Sequence, residues 1–299
     1  SARGALARGE GTQQRGDASG LTNTRVRIQV HLIARGDDCR AFVRDGDQTT
    51  SRKAAVFGDR ARNSIRRLWA HGTCCALGIS VRRQGQAFEA CPTLFVPNHV
   101  SYLDIPVLCV ACDGIFIAKS DVAGWPLFGF LGRITKTYFI RRHWRDAKIQ
   151  RDAIAARMRG GESFILFPEG TSSNGLGVLP FKTSLLSVME PWIMDCPVAA
   201  QPVSIHYRRL ADGRPYDAAT CDLYAWYGDM EFAPHLWAVA QGPGLEVEVR
   251  LHEPVLSWSV KSRKVLGPAL RDLIREDLFG PEPATETEPP FTARIRRAA

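Results

Sequence analysis

The chain has 299 residues, 45% of them hydrophobic, enough to bury one large core or two small ones, which excludes wholesale disorder. Lys plus Arg outnumber Asp plus Glu by 39 to 31, and the excess is local: residues 1–67 and 133–159 carry +7 each while the remainder sums to −6. A bilayer-spanning helix needs about 20 consecutive apolar residues, and the longest run, 105–118, is 14 residues long and broken by Asp113, so no spanning helix is expected.

Residues 1–60 are rich in Gly, Arg, Asp, Gln and Thr, with strand-like alternation only over Val26–Ala34. The composition predicts a weakly ordered basic extension without an export signal. From Ala61 to Leu77, Ile65, Leu68, Trp69, Cys75 and Leu77 recur at helical intervals among Arg62, Arg66, Arg67 and His71. That is a basic amphipathic helix, which either lies on an anionic membrane or packs on the domain with a solvated arginine face. Beyond Arg82, short apolar runs alternate with helical patterns, predicting an α/β domain over 61–280 with a largely parallel central sheet flanked by helices. Expected strands are 93–96, 114–118, 137–140, 163–167, 198–206 and 245–251. Expected helices are 101–112, 144–159 with a stop at Gly160-Gly161, and 261–278 closed by Gly280-Pro281. Residues 281–299 read as a disordered tail.

The eight cysteines are scattered through apolar stretches, as expected for reduced thiols in a cytosolic compartment. Cys109 and Cys112 form the one C-x-x-C, and no second pair at zinc spacing accompanies it. They read as one buried helix face, and no metal site is expected.

Three polar clusters follow apolar strands, at the strand ends where open α/β sheets bind ligands. In Pro97-Asn98-His99-Val100-Ser101-Tyr102-Leu103-Asp104, a His in the strand exit and an Asp in the first helical turn can meet. The carboxylate would then fix the imidazole tautomer, leaving the other ring nitrogen to take a hydroxyl proton. A structural His–Asp pair is the alternative. In Phe167-Pro168-Glu169-Gly170-Thr171-Ser172-Ser173, Glu169 can accept from substrate hydroxyls, and the amides of Gly170 and Thr171 can form an anion nest or a capped turn. Gly170 and Gly175 have nucleotide-loop spacing, but Leu176-Gly177 stands where that loop needs Lys-Ser or Lys-Thr. Phe139-Ile140-Arg141-Arg142 ends a strand in two guanidiniums suited to phosphate.

In this order the clusters resemble the PlsC-type glycerolipid acyltransferases. Asn98-His99 with Asp104 matches the N-H-x-x-x-x-D block, Phe139–Arg142 the arginine block, Phe167–Thr171 the F-P-E-G-T block, and Val198–Ile205 with Pro202 the proline-centred block. The resemblance spans about residues 65–258, with the motif core at 93–207. It implies a glycerol-3-phosphate acyltransferase-like fold and acyl transfer from acyl-carrier protein or acyl-coenzyme A to a lysolipid hydroxyl, without a further cofactor. By the same resemblance His99 is the base and Asp104 its orienter. Arg142, helped by Lys119, holds the acceptor phosphate, and Glu169, Gly170, Thr171 and Asn98 complete the acceptor site. Arg141 stands where many members have Asp, so Arg142 is the match to the phosphate-binding arginine. Members usually begin with hydrophobic membrane helices, absent from residues 1–60, so peripheral attachment at the cytoplasmic face is expected.

The default acceptor is 1-acylglycerol 3-phosphate. The stretches 170–182 and 224–237 also resemble the branch that O-acylates lyso-ornithine lipid, so both acceptors stand. A basic membrane- or nucleic-acid-binding protein without catalysis is the rival from another class. Nucleic acid is not expected as a partner, because Tyr138, Phe139 and Trp144 are the only aromatics of the basic stretch 133–159 and burial in a strand explains two of them.

Overall fold

The computed structural model describes residues 49–120, 132, 137–140, 145–190 and 192–281, with side chains from residue 63 onward. The expectations for Val26–Ala34, Arg141, Arg142 and the tail beyond 281 lie outside the described residues.

An eight-stranded sheet organises the domain, in the order β1 (Ile79–Gln84), β7 (Leu245–Leu251), β6 (Ala199–Leu210), β2 (Thr93–Pro97), β5 (Phe164–Ile165), β3 (Ile115–Lys119), β4 (Tyr138–Ile140), with β8 (Val255–Leu256) also paired to β6. From β6 to β4 every pairing is parallel, and β7 joins β6 antiparallel, so the expected largely parallel sheet is present. β1 runs parallel to β7 and therefore opposite to the central strands. Alternation divides the core between the two faces. Phe95, Phe116, Ile165, Val203, Ile205 and Tyr207 point to one face, while Leu94, Val96, Ile115, Ile117, Phe164 and Leu166 point to the other.

The first face is covered by α1 (Thr49–Ala76), α2 (Asp104–Ala111) and α4 (Phe232–Gln241), the second by α3 (Ala147–Arg159), α5 (Arg263–Phe279) and a 3-10 segment at Thr183–Met189. Helix α2 is apolar nearly all round, as a helix enclosed on several sides must be, and Val107, Leu108, Cys109 and Ala111 are fully buried. Cys109 and Cys112 lie buried as expected, with burial pushing both thiols up to about 12. Helix α3 stops at Gly160, and Gly161 takes a positive φ of 96°.

Several boundaries differ from the sequence reading. Helix α1 begins at Thr49, so residue 60 falls inside a helix. Its buried line is Arg66, Ala70 and Cys74, not Ile65, Leu68 and Cys75, which are exposed. Arg66 is 3% exposed because its guanidinium is spent inward: Nη1 donates to Gly114 O at 2.6 Å and Nη2 pairs with Asp113. Arg67 binds the same Asp113 at 2.7 Å. The helix thus packs on the domain and still presents an apolar strip outward. β5 is only two residues long, since Phe167 turns away toward the site and Pro168 has no amide to continue the ladder. β6 runs on to Leu210 past a register shift after Tyr207. Strand β1 and helix α4 are elements the periodicity does not announce.

Candidate active site

The parallel strands β2, β3, β4 and β5 end at one rim, where a cavity of about 250 Å³ opens. Its wall includes His99, Lys119, Phe139, Phe167, Gly170, Thr171, Ser172 and Trp226, and its lining is mainly apolar. This is the strand-end crevice where α/β sheets bind ligands.

His99 leaves β2 two residues past its end, and Asp104 is the first residue of α2. The intervening turn is closed by the Asp104 amide donating to Ser101 O at 3.0 Å and the Ile105 amide to Tyr102 O at 3.2 Å. It brings His99 Nδ1 to 2.8 Å from Asp104 Oδ2. That oxygen also accepts from the amides of Val100 at 2.7 Å and Ser101 at 3.1 Å, and Oδ1 accepts from Tyr207 Oη at 2.8 Å. Asp104 is fully buried, whereas the His99 side chain is 20% exposed on the cavity wall. A carboxylate only accepts, so in the neutral imidazole Nδ1 carries the proton and Nε2 the lone pair. The imidazole stacks on Phe167, ring centroids 3.9 Å apart and 22° from parallel.

Asn98 and Glu169 are drawn into the wall's framework instead of the cavity. Asn98 is buried, its amide donating to Ile205 O at 3.0 Å and accepting from Ile205 N at 2.7 Å. It extends the β2–β6 ladder by one side-chain rung. Glu169 is 2% exposed and does not line the cavity. Its Oε1 accepts from the His99 amide at 2.7 Å and its Oε2 from the Leu179 amide at 2.9 Å. Burial pushes its carboxyl up to about 7, and the Leu179 and His99 amides oppose that rise. Gly170 and Thr171 do line the cavity. Gly170 has φ 74°, and a Cβ there would meet Lys182 Nζ at 2.7 Å. Lys119 is exposed at the end of β3, on the same wall. Arg142 lies outside the described residues. Among the described residues no group of His, Cys, Asp or Glu converges as a metal would require.

Residues the sequence reading passes over complete the enclosure. The Ser173 amide donates to His99 O at 3.0 Å, the Trp226 amide to Val100 O at 3.1 Å, and Tyr216 Oη to Asn174 O at 2.8 Å. Ser172 Oγ donates to Trp226 O. Alternation along Val203, Ile205 and Tyr207 signals that Tyr207 faces α2, but no spacing rule places it at Asp104.

A site that presents a buried-carboxylate-oriented imidazole to an apolar cavity can deprotonate a hydroxyl beside an aliphatic chain. The acyltransferase family model matches residues 79–205. A lyso-ornithine lipid O-acyltransferase of Brucella abortus is 38% identical over 205 residues, 66% of this chain and 75% of that protein. One from Rhizobium meliloti is 34% identical over 256 residues, 80% of this chain and 87% of that protein. A 1-acyl-sn-glycerol-3-phosphate acyltransferase of Neisseria meningitidis is 39% identical over 162 residues, 53% of this chain and 58% of that protein. The crystal structure of the LPA acyltransferase PlsC from Thermotoga maritima has the same fold, with a TM-score of 0.51 at 24% identity over 80% of this chain and 83% of that one. With the four sequence blocks in order, the His–Asp pair at the strand ends and this similarity across most of the relatives' length, the chain belongs to the PlsC-type lysolipid acyltransferase family.

Proposed function

We propose that the chain moves a fatty acyl group from a thioester, acyl-carrier protein or acyl-coenzyme A, to the hydroxyl of lyso-ornithine lipid. The observation that carries the chemistry is His99 held by Asp104 on the wall of an apolar cavity. Nε2 takes the acceptor's hydroxyl proton as the oxygen attacks the thioester carbonyl. Collapse of the tetrahedral adduct forms the ester, breaks the carbon–sulfur bond, and returns the proton from imidazolium to the leaving thiolate. Asp104 holds the tautomer and stabilises the imidazolium between those steps. Asn98 and Glu169 act as positioning residues, fixing the turn that carries His99. Gly170, Thr171 and Lys119 face the acceptor's polar end, and Arg142 belongs to the same acceptor site by its sequence match.

The acceptor reading moves away from the phosphatidic acid default because the Brucella abortus and Rhizobium meliloti relatives, matched over 75% and 87% of their own length, are named for lyso-ornithine lipid. Two stretches that resemble that branch, 170–182 and 224–237, also meet at the cavity through Ser172 and Trp226. The protein works as a peripheral enzyme at the cytoplasmic face of the membrane, and the outward Ile65 and Leu68 of α1 support contact with a bilayer.

Supplying lyso-ornithine lipid and 1-acylglycerol 3-phosphate in parallel with one labelled acyl donor tests the acceptor. Preferential turnover of the former is expected, and exclusive use of the phosphate acceptor overturns this choice. General base catalysis contributes typically ~10² to 10⁴ in rate, so His99→Ala should lose at least a hundredfold in kcat. Near-normal turnover would remove His99 from the chemistry.

A further inference from the structure

We infer that Tyr207 is a positioning residue of the His99–Asp104 pair, holding the carboxylate correctly turned through its phenolic hydroxyl. The inference rests on the reading of His99 as general base. Asp104 has no arginine or lysine partner among the described ion pairs, although it is fully buried. Its charge is carried by hydrogen bonds: three donors converge on Oδ2, and Oδ1 receives Tyr207 Oη at 2.8 Å. The backbone donors both lie on the Oδ2 side, so Tyr207 sets the rotation of the carboxylate about its Cβ–Cγ bond.

Tyr207 is itself fixed. It is 3% exposed on β6, and its ring packs edge-on against Tyr216 with centroids 5.2 Å apart. Burial pushes its phenol well above the ordinary range, so it remains a donor at any working pH. The titratable groups facing the pair are Tyr216, packed beside Tyr207, and Glu169, whose Oε1 accepts from the His99 amide and which interacts electrostatically with both His99 and Asp104; both are retained when the hydroxyl alone is removed, so they contribute equally to parent and variant.

Removing that hydroxyl has two effects of the same sign. Oδ1 loses its donor, which raises the affinity of Asp104 for a proton. The less stabilised carboxylate also attracts the imidazolium more strongly, which raises the affinity of His99 for a proton. Both push the pH at which a neutral imidazole and an ionised carboxylate coexist upward.

Tyr207→Phe keeps the ring and deletes only the hydroxyl. In the full chain, with acyl donor and lysolipid saturating in turn, kcat should fall roughly tenfold or more with the acceptor KM nearly unchanged, as for loss of a hydrogen bond to a charged group. The acid limb of kcat/KM should move to higher pH. Tyr207→3-fluorotyrosine, whose hydroxyl is a stronger donor, should move that limb the opposite way, and it keeps the test decisive if the phenylalanine variant folds poorly. An unchanged acid limb in both variants overturns the inference, even if thermal stability drops, because a structural role alone leaves the titration where it was. His99→Ala, measured alongside, separates the two levels. If it keeps its activity, the base assignment fails; if it is inactive while Tyr207→Phe behaves as the parent, only the role of Tyr207 fails.

Discussion

Glu169 shows how much a single side chain's partners decide. The F-P-E-G-T spacing directs attention to substrate, whereas burial sends both carboxylate oxygens to the His99 and Leu179 amides. Its folded-state pKa of about 7 stands above the ordinary 4.5. The fold therefore binds this proton more readily than the unfolded chain, and ionising the group costs stability as pH rises from about 4.5 to 7. Glu169→Gln removes that titration. The stability of the parent minus that of the variant, from denaturant melts, should accordingly be greater at pH 5 than at pH 7.5, by up to roughly 3 kcal/mol. A difference independent of pH would contradict the burial of a titrating carboxyl. His99 and Asp104 were legible in the sequence because their five-residue offset crosses a strand exit into a helix start. The Tyr207, Asn98 and Glu169 hydrogen bonds were not, since each depends on a strand or loop arriving from far along the chain.

Among elements, the central strands announce themselves by short apolar runs, and 245–251 is placed to the residue. Strand β1, Ile-Ser-Val-Arg-Arg-Gln, is an edge strand with Ser80 and Arg82 to Gln84 in solvent, which leaves only Ile79 and Val81 as a signal. Helix α4 holds Pro234 in its first turn and is followed by Gly242-Pro243, so its text reads as loop, although a first-turn proline costs a helix no hydrogen bond. Helix α1 is the instructive mismatch. Hydrophobicity alone sends Ile65 and Leu68 inward, but Arg66 finds a carbonyl and a carboxylate at the α2–β3 turn and takes the buried position. Arg66→Ala leaves Gly114 O without this donor and Asp113 without its buried partner. A loss of about 1.5–3 kcal/mol in unfolding free energy is expected, read by urea denaturation, and a loss below a few tenths would mean the pair is dispensable.

For the molecule as a whole, no helix of the described residues is long and apolar enough to cross a membrane, while its proposed acceptor is a lipid. Ile65 and Leu68 stand 63% and 74% exposed on the outer side of α1. Inserting two such side chains is worth about 1.5–3 kcal/mol each. Ile65→Asp combined with Leu68→Asp should reduce co-sedimentation with anionic vesicles at least tenfold while sparing turnover of acceptor dispersed in detergent. Undiminished vesicle binding would place the contact elsewhere.

The order in which the chain leaves the ribosome bears on the same site. His99 and Asp104 lie in the first 104 residues, yet their supports come late: Ile205 locks Asn98 across 107 residues, Tyr207 reaches Asp104 across 103, and Trp226 closes on Val100. Contacts of such separation form after the local ones, because long loops must close first. A nascent or truncated chain ending before β6 thus contains the His99–Asp104 pair without the groups that hold it. On the reading of His99 as the base, competence is withheld until synthesis has passed Trp226, so a detergent-like lysolipid is turned over only by a finished fold.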